Sequence, residues 1–428
     1  MSGWEMGRFY DGGPTAGWRK SVPLAGRHGK RCGMKLLGAL VFVAVAGGFA
    51  LAVAGPADAP VPTAEVDRAI TLATHYLVGA CGADGKFVYE VRVADDAVSA
   101  DYNIVRHAGA MYALALTGEL SRDSAVTDAL RRAGRYLRGN YVGPGPVCGG
   151  GKTLAVWATP RPWGDDSKAT LGATGLGLVG LLGLEGVEPG ATPREEMQAL
   201  GRFLLFMQRG DGSFNSKYYP RDGGTFAAWG SLYYPGEAAL ALLLLAEREP
   251  AGPWRAAGER ALAYLAKSRA GAAEVPPDNW ALIATAKLFA LPETAQTAAL
   301  RGPLVAHAVQ ICEGILAGQI ENSPTGALDG GFEQHGRTTP TSTRLEGLLA
   351  ALEFLPPERG ELRGRIERAV HRGMRFVLRA QIPAGKFAGG VPQAVAASDP
   401  EIRIDFVQHF LDALVRYRQR FGAKERAR

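Results

Sequence analysis

Between residues 62 and 424 the chain alternates two apolar patterns. One is half polar, with apolar positions recurring at helical spacing, and the other is apolar nearly all round and rich in Ala, Gly and Leu. A glycine-rich loop, often carrying Asp-Gly, joins the first kind to the second. Six such pairs follow one another. The pattern predicts first helices starting near Glu65, Ser121, Thr192, Pro253, Thr297 and Gly360, and second helices starting near Asp101, Asp166, Pro235, Asp278, Thr343 and Asp405. The fourth unit is the weakest, with a short loop and no Asp-Gly. Strand-like alternation is scarce, so the expected class is all-α.

Twelve helices that alternate between half-polar and nearly all-apolar predict two concentric layers with the apolar set inside. Ala173, Gly175, Gly177 and Gly180 would let inner helices approach closely, offsetting glycine's helix penalty of about 1 kcal/mol each. Closed on itself, this arrangement is an (α/α)6 toroid over residues 63–424. An open solenoid would need polar capping units at both ends, yet the last helix, Phe406 to Tyr417, stays apolar. The stretch Asp101 to Ala115, DYNIVRHAGAMYALA, gathers its polar residues at the start of an otherwise buried helix. Asp101 reads as its N-cap, and Tyr102/Arg106 and Asn103/His107 each share a helical face.

Four loops carry the repeat most clearly: HYLVGACGADGKF at His75 to Phe87, FLLFMQRGDGSF at Phe203 to Phe214, ILAGQIENSPTGALDGGF at Ile315 to Phe332, and FVLRAQIPAGKFAGG at Phe376 to Gly390. They resemble the Gln-x-x-Asp-Gly-x-Phe/Trp turn of terpenoid cyclases and protein prenyltransferases. The hairpin count resembles six-hairpin glycosidases and related polysaccharide lyases and epimerases. That resemblance implies a toroid and is one of architecture. The acidic signature of the cyclases is not matched, since Asp165-Asp166 is followed by Ser167 and Lys168. No His/Cys zinc set like that of the prenyltransferases is found, so neither chemistry is expected, and no metal or cofactor is.

Composition adds a second region. The 428 residues are 47% hydrophobic with a net charge of +6. Seven Lys/Arg against Glu5 and Asp11 place five of those charges before residue 36, so the rest is near neutral and nucleic acid is not an expected partner. From Leu36 to Ala54 there is no charged residue, behind the basic tail 1–35. This run reads as a transmembrane signal anchor or a signal peptide, with a linker at 55–62 and a short tail at 425–428. The basic flank predicts a cytoplasmic tail and a toroid outside the cytoplasm, in the periplasm or cell envelope, or secreted if the signal is cleaved. An exported domain permits a Cys81–Cys148 bridge, while Cys312 reads as a buried apolar residue. The oligomeric state is left open.

In a toroid the six second-helix starts meet at one mouth, and each carries a polar or aromatic cluster. The candidate catalytic groups are His107, Asp166, Glu237, Asp278, Glu346, Asp405 and His409. The candidate binding groups are Tyr102, Asn103, Arg106, Trp163, Asp165, Tyr233, Tyr234, Asn279, Trp280, Arg344 and Arg403. One cap per helix would be ordinary. The arginines, histidines and Glu346 exceed that need and would be costly to enclose without partners. Flat aromatic faces with carboxylates and arginines suit a saccharide. Glycoside hydrolysis would use two of the carboxyl groups, about 5 Å or about 6.5–9.5 Å apart. A uronate lyase or epimerase would use a base near tyrosine or histidine and an arginine for the carboxylate. Asp405 and His409 are four apart, so one could orient the other. Equally, the pair could join Arg106 in an ion network that closes the ring. The alternative to an enzyme is a non-catalytic toroid that binds glycan or a protein partner as an envelope scaffold.

Overall fold

A computed structural model of the chain describes residues 57–425, except residues 122, 149–150, 222–223 and 227–229. Twelve α-helices form among the described residues. The half-polar set is α1 (Thr63–Ala80), α3 (Ser124–Asn140), α5 (Arg194–Met207), α7 (Trp254–Arg269), α9 (Ala295–Ala317) and α11 (Gly360–Leu378). The apolar set is α2 (Ile104–Ser121), α4 (Leu171–Val187), α6 (Tyr234–Arg248), α8 (Asn279–Ala290), α10 (Thr338–Phe354) and α12 (Ile404–Glu425). The second set is the inner layer: α2 packs on α4, α4 on α6, α6 on α8, α8 on α10, α10 on α12, and α12 back on α2. The ring is closed, so the open solenoid is excluded. Inner helices touch backbone to backbone where a side chain is missing. A Cβ on Gly236 of α6 would sit 2.8 Å from the Ala281 nitrogen of α8.

Several expected starts move, each for a local reason. Asp101 is exposed and caps nothing; Asn103 takes the role, its Oδ1 accepting from the Val105 N–H at 2.9 Å, so α2 begins at Ile104. Asp123, not Ser121, caps α3. Helix α4 begins at Leu171 rather than near Asp166, because residues 154–156 and 169–170 are drawn into short strands and Thr170 provides the cap. Helix α10 begins at Thr338, five residues ahead of Thr343, since Pro340 falls in the first turn, where no backbone N–H is needed. Asp278 does cap α8, accepting from the Ala281 N–H at 3.0 Å.

The all-α class holds for both layers, with a correction at the loops that precede the inner helices. Among the described residues, seven strands of two or three residues form there, too short to leave an alternating pattern: β1 (Glu90–Arg92), β2 (Val142–Pro144), β3 (Leu154–Val156), β4 (Ala169–Thr170), β5 (Lys217–Tyr219), β6 (Thr225–Phe226) and β7 (Glu401–Arg403). Strand β1 pairs antiparallel with β7, with Val91 opposite Ile402, which stitches the first unit to the last.

The Asp-Gly loops explain how consecutive units lock. The Gln208 side-chain amide donates to its own turn at the Gly212 carbonyl (3.3 Å) and to the Ala257 carbonyl of α7 in the next unit (2.9 Å). Gln319 repeats this with Gly330 and with Ala369 of α11, and Gln381 of the sixth unit reaches the Ala69 carbonyl of α1 at 3.0 Å. Gly212, Gly330 and Gly389 have φ of 93°, 87° and 86°. A Cβ on any of them would fall on a carbonyl of the neighbouring outer helix: Arg260, Arg372 and Leu72 respectively. The left-handed backbone and the close approach therefore demand glycine together.

The basic tail and the uncharged run Leu36–Ala54 lie outside the described residues. Among the described residues no helix is long and apolar enough to cross a membrane. The Cys81–Cys148 bridge does not form: Cys81, Cys148 and Cys312 are free thiols, and the Cys81 sulfur is buried 3.5 Å from the Ala129 carbonyl of α3.

Replacing Gly389 with Ala strains the seam between the sixth and first units and should cost at least about 2 kcal/mol in chemical denaturation. Gly79→Ala, on the exposed face of α1 with nothing within 4 Å of the new methyl group, should be neutral or stabilising.

Candidate active site at the ring axis

Asp405, His409, Asp412 and Arg416 follow at intervals of four, three and four along α12, which puts them on one face. Asp405, the first of them, closes the ring rather than orienting His409. Its carboxylate takes Arg403 Nε at 2.6 Å and lies 3.2 Å from Arg106 Nε of α2. Arg403 also reaches Glu90 of β1 at 3.7 Å, and Arg106 donates to the Tyr89 hydroxyl. Burial opposes the charge on Asp405, but Arg106 and Arg403 hold its carboxyl below the usual range. Asp405, Arg106 and Arg403 are thereby committed to the seam that β1 and β7 also join.

His409 is partnered instead by α10. Its Nδ1 is 2.8 Å from Glu346 Oε1, and the Asn279 amide of α8 donates to Glu346 Oε2 at 3.0 Å. Glu346 is fully enclosed and His409 is 6% exposed. Burial disfavours the imidazolium, yet Glu346, with Asp412 and Asp405, holds His409 above its ordinary value. Glu237 of α6 stands differently from the other carboxyls. It is 4% exposed, packs where α4 has Gly172 in place of a side chain, and has no hydrogen bond to Oε2 among the described residues. Burial pushes it up to about 8, with His409 opposing and Asp278 adding to the rise. Asp278 is tied to Arg269 of α7 at 2.9 Å and capped onto α8; burial still raises its carboxyl.

The remaining expected residues divide between mouth and packing. Tyr233 and Tyr234 are half-buried where α6 begins, and the Tyr234 ring lies against Gly172. Arg344 lies near Tyr233 and donates to the Pro340 carbonyl at 2.7 Å; burial lowers the Arg344 guanidinium and raises the Tyr233 phenol. His107 is not at the site. It is fully buried, pushed down to about 4 by burial, with Nδ1 on the Tyr102 hydroxyl at 2.7 Å and Nε2 on the Ala133 carbonyl at 3.0 Å. Tyr102 is thus a packing partner of His107, and Asn103 is a helix cap. Trp280 is buried between Tyr112 and His409 and offers no open face. Trp163 stacks on Trp157 with centroids 5.5 Å apart and sits under Arg161. Asp165 and Asp166 are exposed; the Asp166 side chain is 95% accessible and lies 3.4 Å from Arg221. Trp163, Asp165 and Asp166 share a cause, since they precede α4 by five residues or more and follow the loop outward.

Asp412, Gln408 and Arg416 are the groups that the reading of helix starts missed, because they lie one to three turns inside α12. Gln408 Nε2 is 2.8 Å from Asp412 Oδ2 and 3.2 Å from His409 Nδ1. Asp412 is pushed up to about 8 by burial and by Glu346. Arg416 donates to the Tyr112 hydroxyl of α2 at 3.2 Å and to Glu353 of α10 at 3.2 Å. Both Tyr112 and Arg416 also line a cavity of about 430 Å³ towards the C-terminal ends of the inner helices. The spacing of charges inside an apolar helix was the signal that could have revealed this column.

No family model matches the chain, and no curated protein matches it. Solved structures do. A cellobiose 2-epimerase from Bacillus thermoamylovorans superposes with a TM-score of 0.60 at 13% identity, covering 82% of this chain and 98% of that one. A D-mannose isomerase gives 0.59 at 9% identity, over 84% and 98%. A family 76 alpha-mannanase from Bacteroides thetaiotaomicron gives 0.53 at 14% identity, over 84% and 97%. At these identities the likeness is one of fold alone, an (α/α)6 toroid.

Glu237 gives a pH signature. Its folded carboxyl binds a proton up to about pH 8, whereas an unfolded glutamate releases it near pH 4.3, so the native state holds more protons between these limits and loses stability as pH rises through them. Glu237→Gln removes that dependence. The variant should gain thermal stability relative to the parent at pH 8 and gain none at pH 4, as read by melting temperature.

Proposed function

We propose that the protein is a carbohydrate-active enzyme whose acid–base centre is Glu237 with the Glu346–His409 pair. The observation that carries this reading is the contrast among the axial carboxyls. Asp405 and Asp278 are bound by arginines, whereas Glu237 has none among the described residues and keeps its proton to about pH 8. A carboxyl that is still protonated at neutral pH can donate to a glycosidic or ring oxygen. Glu346, oriented by Asn279 and His409, is the second carboxyl that glycoside hydrolysis requires. In an epimerase or isomerase the same pair would exchange a proton with a sugar carbon.

Tyr233 and Tyr234 offer flat faces beside this centre, and Arg344 a cation suited to a uronate carboxylate. The fold is shared with an alpha-mannanase, a cellobiose 2-epimerase and a D-mannose isomerase, which supports a saccharide as substrate. The uncharged run Leu36–Ala54 behind a basic tail supports a place in the cell envelope.

The test is a panel of oligosaccharides, uronate-containing ones included, assayed for both hydrolysis and epimerisation. Glu237→Gln and His409→Asn should each lower kcat by about 100-fold or more. Asp166→Asn, on the exposed loop, should leave turnover near the parent's. Turnover unchanged in both axial variants would overturn the assignment, and saccharide binding without turnover would favour the non-catalytic scaffold.

A further inference from the structure

We propose that Asp412 is a positioning residue for the acid–base pair, holding a proton behind His409 and Glu346 so that the three groups gain and lose protons as one unit. The inference rests on reading that pair as the catalytic centre. Its basis is distance. One ligating atom each of Glu346, His409 and Asp412 lies within 4.8 Å of the other two, and all three residues are buried. Gln408 Nε2 donates to Asp412 Oδ2 at 2.8 Å and lies 3.2 Å from His409 Nδ1, which places Asp412 beside the imidazole. Two carboxylates at such spacing in a low-dielectric interior cannot both be charged unless each has a cation.

The charges facing Asp412 decide which one yields. Glu346 comes from α10 and is matched by His409 at 2.8 Å. Arg416, one turn further along α12, is matched by Glu353 of α10 at 3.2 Å and also holds the Tyr112 hydroxyl of α2. Asp405, at the start of α12, belongs to Arg106 and Arg403, and Glu237 of α6 is itself protonated at neutral pH. Asp412 is the carboxyl left without a cation of its own, and its Oδ1 has no hydrogen-bond partner among the described residues. It therefore takes a proton, in keeping with its rise to about 8.

The same donors could in principle ligate a divalent metal, but His409 Nδ1, the atom nearest the carboxylates, is already engaged by Glu346. A proton is the cheaper occupant. Functionally, a protonated Asp412 places no second negative charge beside the Glu346–His409 pair. Once Asp412 ionises, its new charge holds the imidazolium of His409 to higher pH.

The experiment is a pH titration of the His409 ring by NMR in the full chain with labelled histidine, the resonance being assigned by its loss in His409→Asn. The parent should show two steps, a first that reports Asp412 and a second in which the imidazolium, held above its ordinary range by Glu346, is lost. In Asp412→Asn the first step should vanish and the second should move to lower pH. A single step at the same pH in both proteins would overturn the proposal, as would stabilisation by Zn²⁺ or Mn²⁺ that Asp412→Asn abolishes. If Asp412→Asn does not fold, the parent's curve decides alone, two steps supporting the coupling and one step overturning it. No substrate is needed. A two-step curve in a protein inert to every saccharide removes the functional reading and keeps the coupling, and a one-step curve in an active enzyme does the reverse.

Discussion

Closing twelve helices into a ring requires that the sixth hairpin meet the first at the same spacing as any other pair. The device that fixes this spacing is small: a glycine at positive φ seated on a carbonyl of the next outer helix, and a glutamine amide spanning the gap. Gly389 and Gln381 apply it to α1 as Gly212 and Gln208 apply it to α7. The second and fourth units lack this pairing of glycine and glutamine. The second builds β2, β3 and β4 from its longer loop, and the fourth is tied by Gln310, which donates to the Arg269 and Ala272 carbonyls. Asp405 with its two arginines, and β1 with β7, then secure the same seam at the level of the inner layer.

The closed ring sets the electrostatic problem that the site answers. Its axis is lined by helices rich in Ala, Gly and Leu, so every charge buried there must find a counterion or give up its charge. Asp405 and Asp278 take arginines, Glu346 takes His409, and Glu237 and Asp412 stay protonated to about pH 8. The result is an enclosed set in which some carboxyls are paired and others keep their protons. The architecture supplies it through burial, with no special arrangement at any one residue.

Much of the fold was legible because the alternation of half-polar and apolar helices is a long-range pattern, and the number and order of all twelve helices follow from it. Helix starts were less so. Asp101 and Asp166 look like caps, but competing caps at Asn103 and Thr170 lie a few residues on, and Pro340 conceals the first turn of α10. Within the site, Glu237, Asp278, Asn279, Glu346 and His409 converge as helical position suggested. His107 was misplaced because one turn of helix rotates it from the axis into the contact with Tyr102 and Ala133. Trp280 was misplaced because an aromatic at a helix start can point into the ring as readily as out of it. Asp412 lies two turns inside α12, where no cap is called for, although its spacing from His409 and Arg416 is visible in the sequence.

The central claim is that buried carboxyls on the ring axis are protonated at neutral pH. Infrared spectroscopy reads this directly, through the carbonyl stretch of a protonated carboxyl, which an ionised carboxylate lacks. The account predicts that band at pH 7, a fall in its intensity around pH 8, and a partial loss of it at pH 7 when Glu237 is replaced by Gln. A spectrum at pH 7 with no protonated-carboxyl band would contradict it.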